Sequence, residues 1–99
     1  MARTRDREVV PLLQALADPT RLGVVRLLSA GPRRAGELAG AAGVSAPTMS
    51  KHLRVLLSAG IVDDERPPSD ARVRVFRLRP ESMVPLQAWL DQLQAQWDD

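Results

Sequence analysis

The chain has 99 residues, of which 44% are hydrophobic and 26% are charged, and its formal net charge is +2. This length is enough for one folded domain and too short for two, so we expect residues 1–99 to form a single domain. The chain contains no cysteine, which excludes disulfides, thiolate metal sites and cysteine nucleophiles. No apolar run approaches the ~18 residues of a membrane span, and no apolar stretch typical of a secretion signal follows the basic N-terminus. We therefore expect a cytoplasmic protein that does not associate with a membrane.

The first half of the chain predicts three helices. Apolar residues at helical spacing place the first over about 6–17. Asp18 and Pro19 are typical of a helix start and predict a second helix over about 19–29, which ends at Gly31. A third short helix follows over about 35–42 and ends at Gly43.

The fourth helix has an apolar face and a polar face that contains no acid. Ser45 is its predicted N-cap, and Gly60 is suited to the left-handed position just after its end. At about 100° per residue, one side carries Met49, Leu53, Leu56 and Leu57, and the other carries Pro47, Thr48, Lys51, Arg54 and Ser58.

Two strands and a last helix complete the chain. Residues 61–66 and 72–78 are rich in Val, Ile and Phe and are separated by turn residues, which predicts a β-hairpin. Apolar side chains occupy both parities of the second strand, so its register stays open between a bulge and two partly covered faces. Because proline is tolerated only in the first turn, Pro85 places the last helix over about 83–97 with an N-cap near Ser82. Its apolar residues follow a heptad spacing: Met83, Leu86, Leu90, Leu93 and Trp97.

This order of elements predicts a mainly α fold with a β-hairpin wing (α+β), a winged helix-turn-helix. The helix-turn-helix spans about 35–59 and the wing about 61–78. A helix that enters a DNA groove should carry no carboxylate on its outer face, because phosphates would repel it, whereas Lys51 and Arg54 would be attracted. Residues 44–79 contain seven basic and four acidic residues, which gives a net charge of +3. Residues 80–99 contain four acidic residues and no basic one, which gives a net charge of −4. These features predict binding to double-stranded DNA.

Three stretches resemble the ArsR/SmtB family of winged-helix repressors: LADPTRLGVVRLLSAGP (16–32), ELAGAAGVSAPTMSKHLRVLLSAGIV (37–62) and VFRLRPE (75–81). The resemblance implies a homodimer that represses transcription from a palindromic operator, with the first and last helices as the dimer interface. It also implies groove-facing positions at Ser45, Thr48, Ser50, Lys51 and His52. Relatives often have Gln where this chain has Ala46, so we expect specificity to depend more on Thr48, Lys51 and DNA shape.

From these arguments we predict two sets of functional residues. The DNA-binding set is Ser45, Ala46, Thr48, Ser50, Lys51, His52, Arg54, Arg72 and Arg74. The dimer-interface set is Leu13, Leu16, Leu86, Leu90, Leu93 and Trp97. Simpler roles stay open: His52 could flank the core, the wing arginines could form a solvated strand face, and the leucine seam could pack onto its own domain. Arg3, Arg5 and Arg7 form either an arm that touches DNA or a disordered tail.

The metal sites of the family are not found in this sequence. Many members hold metals through Cys-x-Cys near the third helix or through Asp and His pairs on the last helix. Here residues 33–40 read RRAGELAG, and Asp91 has no histidine near it in sequence, so we expect no metal and no cofactor. The effector, the operator, the regulated genes and autorepression are not determined by the sequence.

Two other classes of function are considered. A winged helix can serve as a protein–protein interaction module, and three acids on the first wing strand favour that hypothesis because they lie near the expected DNA surface: Asp63, Asp64 and Glu65. We do not expect an enzyme, because the sequence has no nucleophile with a base, no paired carboxylates on a helix face and no glycine-rich phosphate loop.

Overall fold

The computed structural model describes residues 4–70 and 72–98. Over these residues the chain forms α1 (Thr4–Leu16), α2 (Pro19–Ser29), β1 (Arg33–Arg34), α3 (Ala35–Ala42), α4 (Ala46–Ser58), β2 (Val62–Glu65), β3 (Val75–Leu78) and α5 (Val84–Asp98). The predicted mainly α fold with a hairpin wing is confirmed. Arg3 and the side chain of Arg5, for which an arm and a tail were both considered, lie outside the described residues.

Local capping explains where the helices begin and end. A carboxylate oxygen of Asp18 accepts the backbone N–H groups of Thr20 and Arg21 at 2.8 and 3.1 Å, which satisfies two donors at the start of α2. The hydroxyl of Ser45 accepts the N–H of Thr48 at the start of α4. After α3 and α4 the chain turns through left-handed glycines, Gly43 at φ 67° and Gly60 at φ 74°, a conformation that disfavours a side chain.

The start of α5 differs from the prediction. Ser82 does not cap it; a 3₁₀ turn, Pro80–Met83, leads directly into α5, and the Ser82 hydroxyl donates to the carbonyl of Arg79 within this turn. Proline fixes its own φ in the helical range, so Pro80 begins this turn before the α-helical pattern starts. The N–H of Arg79 donates to the Ile61 carbonyl at 2.8 Å and attaches the turn to the residue just before β2.

The sheet has three antiparallel strands in the order β1-β3-β2. Val62 pairs with Leu78 and Glu65 with Val75 in an unbroken register, which resolves the register left open by the sequence without a bulge in these pairs. The ladder is shorter than the predicted strands. β1 was not predicted: Arg33 and Arg34 pair with Phe76 and Val75 on the free edge of β3.

One apolar core joins the helices to the sheet. Its centre is Phe76, which is fully buried, as are three other large side chains, Leu38, Leu56 and Ile61. Helix α4 contributes Met49, Leu53 and Leu56, so its opposite side faces solvent. Helix α1 packs against α5. No described helix combines the length and apolar character that crossing a bilayer requires.

Candidate nucleic-acid interface

The outer face of α4 is exposed to solvent. Met49 and Leu53 are almost completely buried on the core side, whereas Ser50 and Lys51 between them are exposed. The exposed positions on and just before α4 include most of the predicted DNA-binding set: Ser45, Ala46, Thr48, Ser50, Lys51 and Arg54. The structure therefore brings six predicted residues onto a single solvent-facing surface.

The positive charges on this surface are not neutralised from within the fold. Neither Lys51 nor Arg54 forms an ion pair with any residue that the structure describes. The first turn of α4 adds hydrogen-bonding groups. The Ser45 hydroxyl donates to Thr48 Oγ1 at 3.0 Å, which leaves the Thr48 hydroxyl proton available to an outside acceptor. This surface can bind an anion and read an acceptor atom beside it.

His52 is placed differently from its neighbours on α4. Its Nδ1 lies 3.2 Å from Nη1 of Arg21 and 3.9 Å from Oδ1 of Asp18, and only 19% of its side chain is exposed. Because a guanidinium has donors only, Nδ1 accepts this hydrogen bond and the proton of a neutral ring lies on Nε2. The ring thus faces α2 and connects α4 to the core side of the protein. This arrangement matches the alternative in which His52 flanks the core.

Arg21 joins three helices at this point. Besides its bond to His52, its Nε donates to the Ala15 carbonyl at 2.6 Å and its Nη2 donates to the Gln14 carbonyl at 3.3 Å. Carbonyls in the last turn of a helix lack partners within the helix, so Arg21 satisfies the end of α1. Arg21 was not among the predicted functional residues, although it lies in the stretch LADPTRLGVVRLLSAGP that carries the family resemblance.

The charge of Asp18 is also stabilised at this junction. The backbone N–H of Arg21 is the main reason that the pKa of the Asp18 carboxyl lies below its ordinary value, followed among the favourable causes by the N–H of Thr20. The anionic form of Asp18 therefore holds the start of α2 in place beside α4.

The two predicted wing arginines are not equivalent. Arg74 Nη2 lies 2.8 Å from Asp64 Oδ2, and its guanidinium lies 4.9 Å from the ring centre of Phe76. Arg72 pairs with Asp70 at 3.2 Å near the hairpin tip, and its side chain is 92% exposed. The structure therefore leaves Arg72 accessible, whereas Arg74 is held on the sheet.

The acids of β2 are engaged by arginines of β3. Besides the Asp64 pair, Arg77 contacts Asp63 at 3.4 Å and Glu65 at 3.2 Å. The register places these residues opposite or diagonal to one another, so the pairs follow from the strand pairing. The acids that favoured a protein-binding module thus have partners inside the wing.

A further cation near the wing was missed. Arg34 is exposed and lines a hollow of about 400 Å³ together with Arg72 and Arg74 at the start of α3. The sequence places Arg34 almost forty positions away from the second wing strand, and only the pairing of β1 with β3 brings them together. The double arginine at 33–34 was the available signal, but its position beside the wing depends on that long-range pairing.

The predicted dimer residues fall into two groups. Leu13, Leu90 and Trp97 are 42%, 45% and 73% exposed, and Leu93 is half-buried. Leu16 and Leu86 pack against the core of their own chain. Helix α1 packs against α5, which uses part of the seam internally and leaves the rest as an exposed apolar surface.

Comparisons with known proteins agree with this architecture. The family described as "Helix-turn-helix domain" matches residues 16–65. The HTH-type transcriptional regulator Rv2034 of Mycobacterium tuberculosis is 45% identical over 78 residues, which cover 79% of this chain and 70% of that protein.

Solved structures show the same arrangement over nearly the whole chain. A crystal structure of an ArsR family transcriptional regulator superimposes with a TM-score of 0.86 and 32% identity, and covers 100% of this chain and 98% of that one. The homodimeric winged helix-turn-helix DNA-binding domain of a possible ArsR-family regulator from Mycobacterium bovis gives a TM-score of 0.71 and 26% identity, and covers 96% and 89% of the two chains. With its capped outward helix, its wing and these relatives, the chain belongs to the ArsR/SmtB family of winged helix-turn-helix transcriptional regulators.

Proposed function

We propose that this protein is a homodimeric repressor that binds a palindromic site on double-stranded DNA in the cytoplasm of a bacterial cell. The observation that carries the proposal is the exposed, acid-free outer face of α4, on which Lys51 and Arg54 have no partner among the described residues. A helix of this kind fits the major groove, where phosphates flank the base edges. We assign the protein no catalytic role.

The residues of α4 divide into two roles. Lys51 and Arg54 bind phosphates, which supplies affinity for any duplex and makes that affinity depend on salt. Thr48 lies in the leading turn, where its free hydroxyl proton can bond an acceptor on a base edge. Ser45, Ala46 and Ser50 lie beside it and fit closely against the groove. Because Ala46 brings no amide, direct recognition of adenine at this position is absent and DNA shape contributes more.

The wing extends the contact beyond α4. Arg72, at the exposed hairpin tip, and Arg34, beside it, are positioned for phosphates that flank the major groove. Arg74 acts mainly by holding the wing, because it is already bound to Asp64 and stacked over Phe76. His52 acts through its contact with Arg21 and orients α4.

A homodimer follows from the apolar surface that α1 and α5 leave exposed. The surface comprises Leu13, Leu90, Leu93 and Trp97, together with Val10, which is 47% exposed. A two-fold dimer would cover this surface on both copies at once and place two α4 helices on successive major-groove turns. The homodimeric Mycobacterium bovis neighbour supports this arrangement. The core shared by α1 to α4 and the sheet, with Leu86 of α5 packed against it, supports one domain over residues 1–99.

The proposal is tested by gel retardation with DNA from upstream of the protein's own gene, over a series of salt concentrations. We expect one fragment to be retarded at low salt, with affinity that falls steeply as salt rises. Footprinting of that fragment should show two protected half-sites about one helical turn apart. If no duplex is retarded at low salt, DNA binding is wrong and the protein-interaction module becomes the better explanation.

A further inference from the structure

A groove of about 680 Å³ lies between α1 and α4, next to the outer face of α4. Its volume lies within the range of about 300–1,000 Å³ that is typical of sites for small molecules. The groove is separate from the exposed apolar surface of α1 and α5, because the residues of α1 that line it are Pro11, Gln14 and Ala15 rather than Val10 and Leu13.

The floor of this groove is apolar. Pro11 and Ala15 form the α1 side, and Val55 and Ala59 form the α4 side. Val55 is 40% exposed. Val55 follows Arg54 on α4, so an apolar side chain is exposed to water next to a charged one. An apolar ligand body would remove this side chain from water.

The rim of the groove is positively charged. Arg21, Lys51 and Arg54 line it, and none of its lining residues is a carboxylate. The guanidinium of Arg21 has five N–H donors, of which it uses one each for Ala15, Gln14 and His52, so donors remain for a ligand. Lys51 and Arg54 are unpaired over residues 4–70 and 72–98.

From this combination we infer that the groove binds a small organic anion with one carboxylate-like head and an apolar body. The head is held by the three cations and the body lies on Pro11, Ala15 and Val55. A purely apolar molecule would leave the cations without a partner, and a small inorganic anion would leave the floor exposed to water. The chemistry of the groove therefore selects molecules that have both parts.

Ligand binding would oppose DNA binding, and this second step rests on the proposed function. Lys51 and Arg54 line the groove and also face the DNA phosphates, so a bound anion reduces the positive charge available to the duplex. By reciprocity the duplex must weaken ligand binding by the same factor. The groove would thus receive a signal molecule that releases the operator.

Ligand binding is tested on the protein without DNA, with octanoate as the probe. We expect octanoate to shift the amide NMR signals of Gln14, Ala15, Val55 and Ala59 in a saturable way. Octanol has the same body without the charge, and acetate has the charge without the body, so neither should shift these signals at matched concentration. Equal shifts with octanol or acetate, or octanoate shifts that map elsewhere, would overturn the inference.

A matched pair of variants locates the site. Ser58 and Ser29 are the exposed last residues of α4 and α2, but only Ser58 lines the groove. Ser58→Leu fills the groove and should weaken octanoate binding at least about tenfold by excluding the ligand's volume, whereas Ser29→Leu should not change it. Unchanged binding by Ser58→Leu would show that the groove is not the site.

Displacement of DNA by octanoate tests the groove inference and the proposed function separately. Octanoate should displace a fluorescent operator duplex from the protein and from Ser29→Leu, and should fail to displace it from Ser58→Leu. If the protein binds DNA but no octanoate, the groove inference is wrong and the repressor proposal stands. If it binds octanoate but no duplex, the ligand site stands and the repressor proposal is wrong.

Discussion

Nδ1 of His52 lies 3.2 Å from Nη1 of Arg21, so the helix that faces outward is tied to the corner between α1 and α2. The same guanidinium donates to two carbonyls at the end of α1, and the backbone of Arg21 is held by Asp18. The orientation of α4 therefore depends on a polar contact as well as on apolar packing.

Removal of this contact should destabilise the protein. Arg21→Ala leaves the Ala15 carbonyl and the His52 ring without this donor and removes one of the two donors to the Gln14 carbonyl. Hydrogen bonds to a charged group contribute about 1.5–3 kcal/mol. We expect a decrease of that size in the free energy of unfolding measured with urea. The matched control is Arg26→Ala, an exposed residue of the same helix, which should change the free energy by less than about 0.5 kcal/mol. Equal effects of the two variants would contradict this role of Arg21.

The Asp18 carboxylate should make the stability depend on pH. Its pKa is lowered in the folded protein, chiefly by the N–H of Arg21, so its ionised form stabilises the fold above the ordinary pKa of 3.8, and this contribution is lost as the pH falls through the lower folded value. Asp18→Asn can still cap α2 but cannot titrate. Urea melts should show the variant less stable at about pH 7, with a difference that shrinks below about pH 4.

Asp70 and Glu81 also have lowered pKa values. Because the unaltered protein and the Asp18→Asn variant both retain these acids, their contributions cancel when the two stabilities are subtracted. A stability difference that stays constant from neutral to strongly acidic pH would show that the charge of Asp18 is not its source.

Two substitutions on α4 should separate affinity from specificity. Lys51→Ala removes a phosphate contact, so binding to operator and to random duplex should weaken alike, and the slope of log affinity against log salt should decrease by about one. Thr48→Ala removes a contact to a base edge and should lose about 1 kcal/mol of discrimination between operator and random duplex. Fluorescence anisotropy with both duplexes measures these effects. Equal losses on both duplexes from Thr48→Ala would contradict its assignment.

The wing arginines should respond differently to truncation. Arg72→Ala should weaken DNA binding and leave the urea midpoint unchanged, because this side chain is almost completely exposed. Arg74→Ala removes the Asp64 pair and the contact with Phe76, so it should lower the free energy of unfolding by about 1 kcal/mol. Anisotropy and urea melts on the same samples distinguish the two. Equal effects of the two substitutions on the free energy of unfolding would contradict this difference between Arg72 and Arg74.

A charge on the exposed part of α5 should disrupt the dimer. Leu90→Glu buries a carboxylate in the proposed interface, and we expect monomers in sedimentation velocity with the helical content retained. Gln92→Glu adds the same charge to the same helix at an exposed position outside the apolar seam, so it should remain dimeric. Dimers of both variants would place the interface elsewhere.

The starts of α2 and α4 and the ends of α3 and α4 were predictable because their causes are local. The side chains of Asp18 and Ser45 accept N–H groups two or three residues away, Gly43 ends α3 as predicted, and Gly60 adopts the predicted left-handed conformation after α4. The exposed face of α4 was predictable for a similar reason, since helical periodicity alone separates Met49 from Lys51.

The features that were missed depend on contacts between distant residues. The strand β1 exists because Arg33 lies beside Phe76, which is more than forty positions away. The orientation of His52 depends on Arg21 at a separation of 31 residues. A lone histidine on a mixed helix face fits either side, and only the position of α2 decides between them.

The ion pairs across the hairpin also affect how the protein would respond to its ionic surroundings. Arg74 and Arg77 already hold carboxylates of the neighbouring strand, so either side chain can reach a phosphate only by exchanging one anion for another. Such an exchange sets free a protein carboxylate, which attracts cations in turn, and so reduces the net ion release on which salt sensitivity depends. The slope of log affinity for DNA against log salt concentration would therefore indicate fewer phosphate contacts than the hairpin makes.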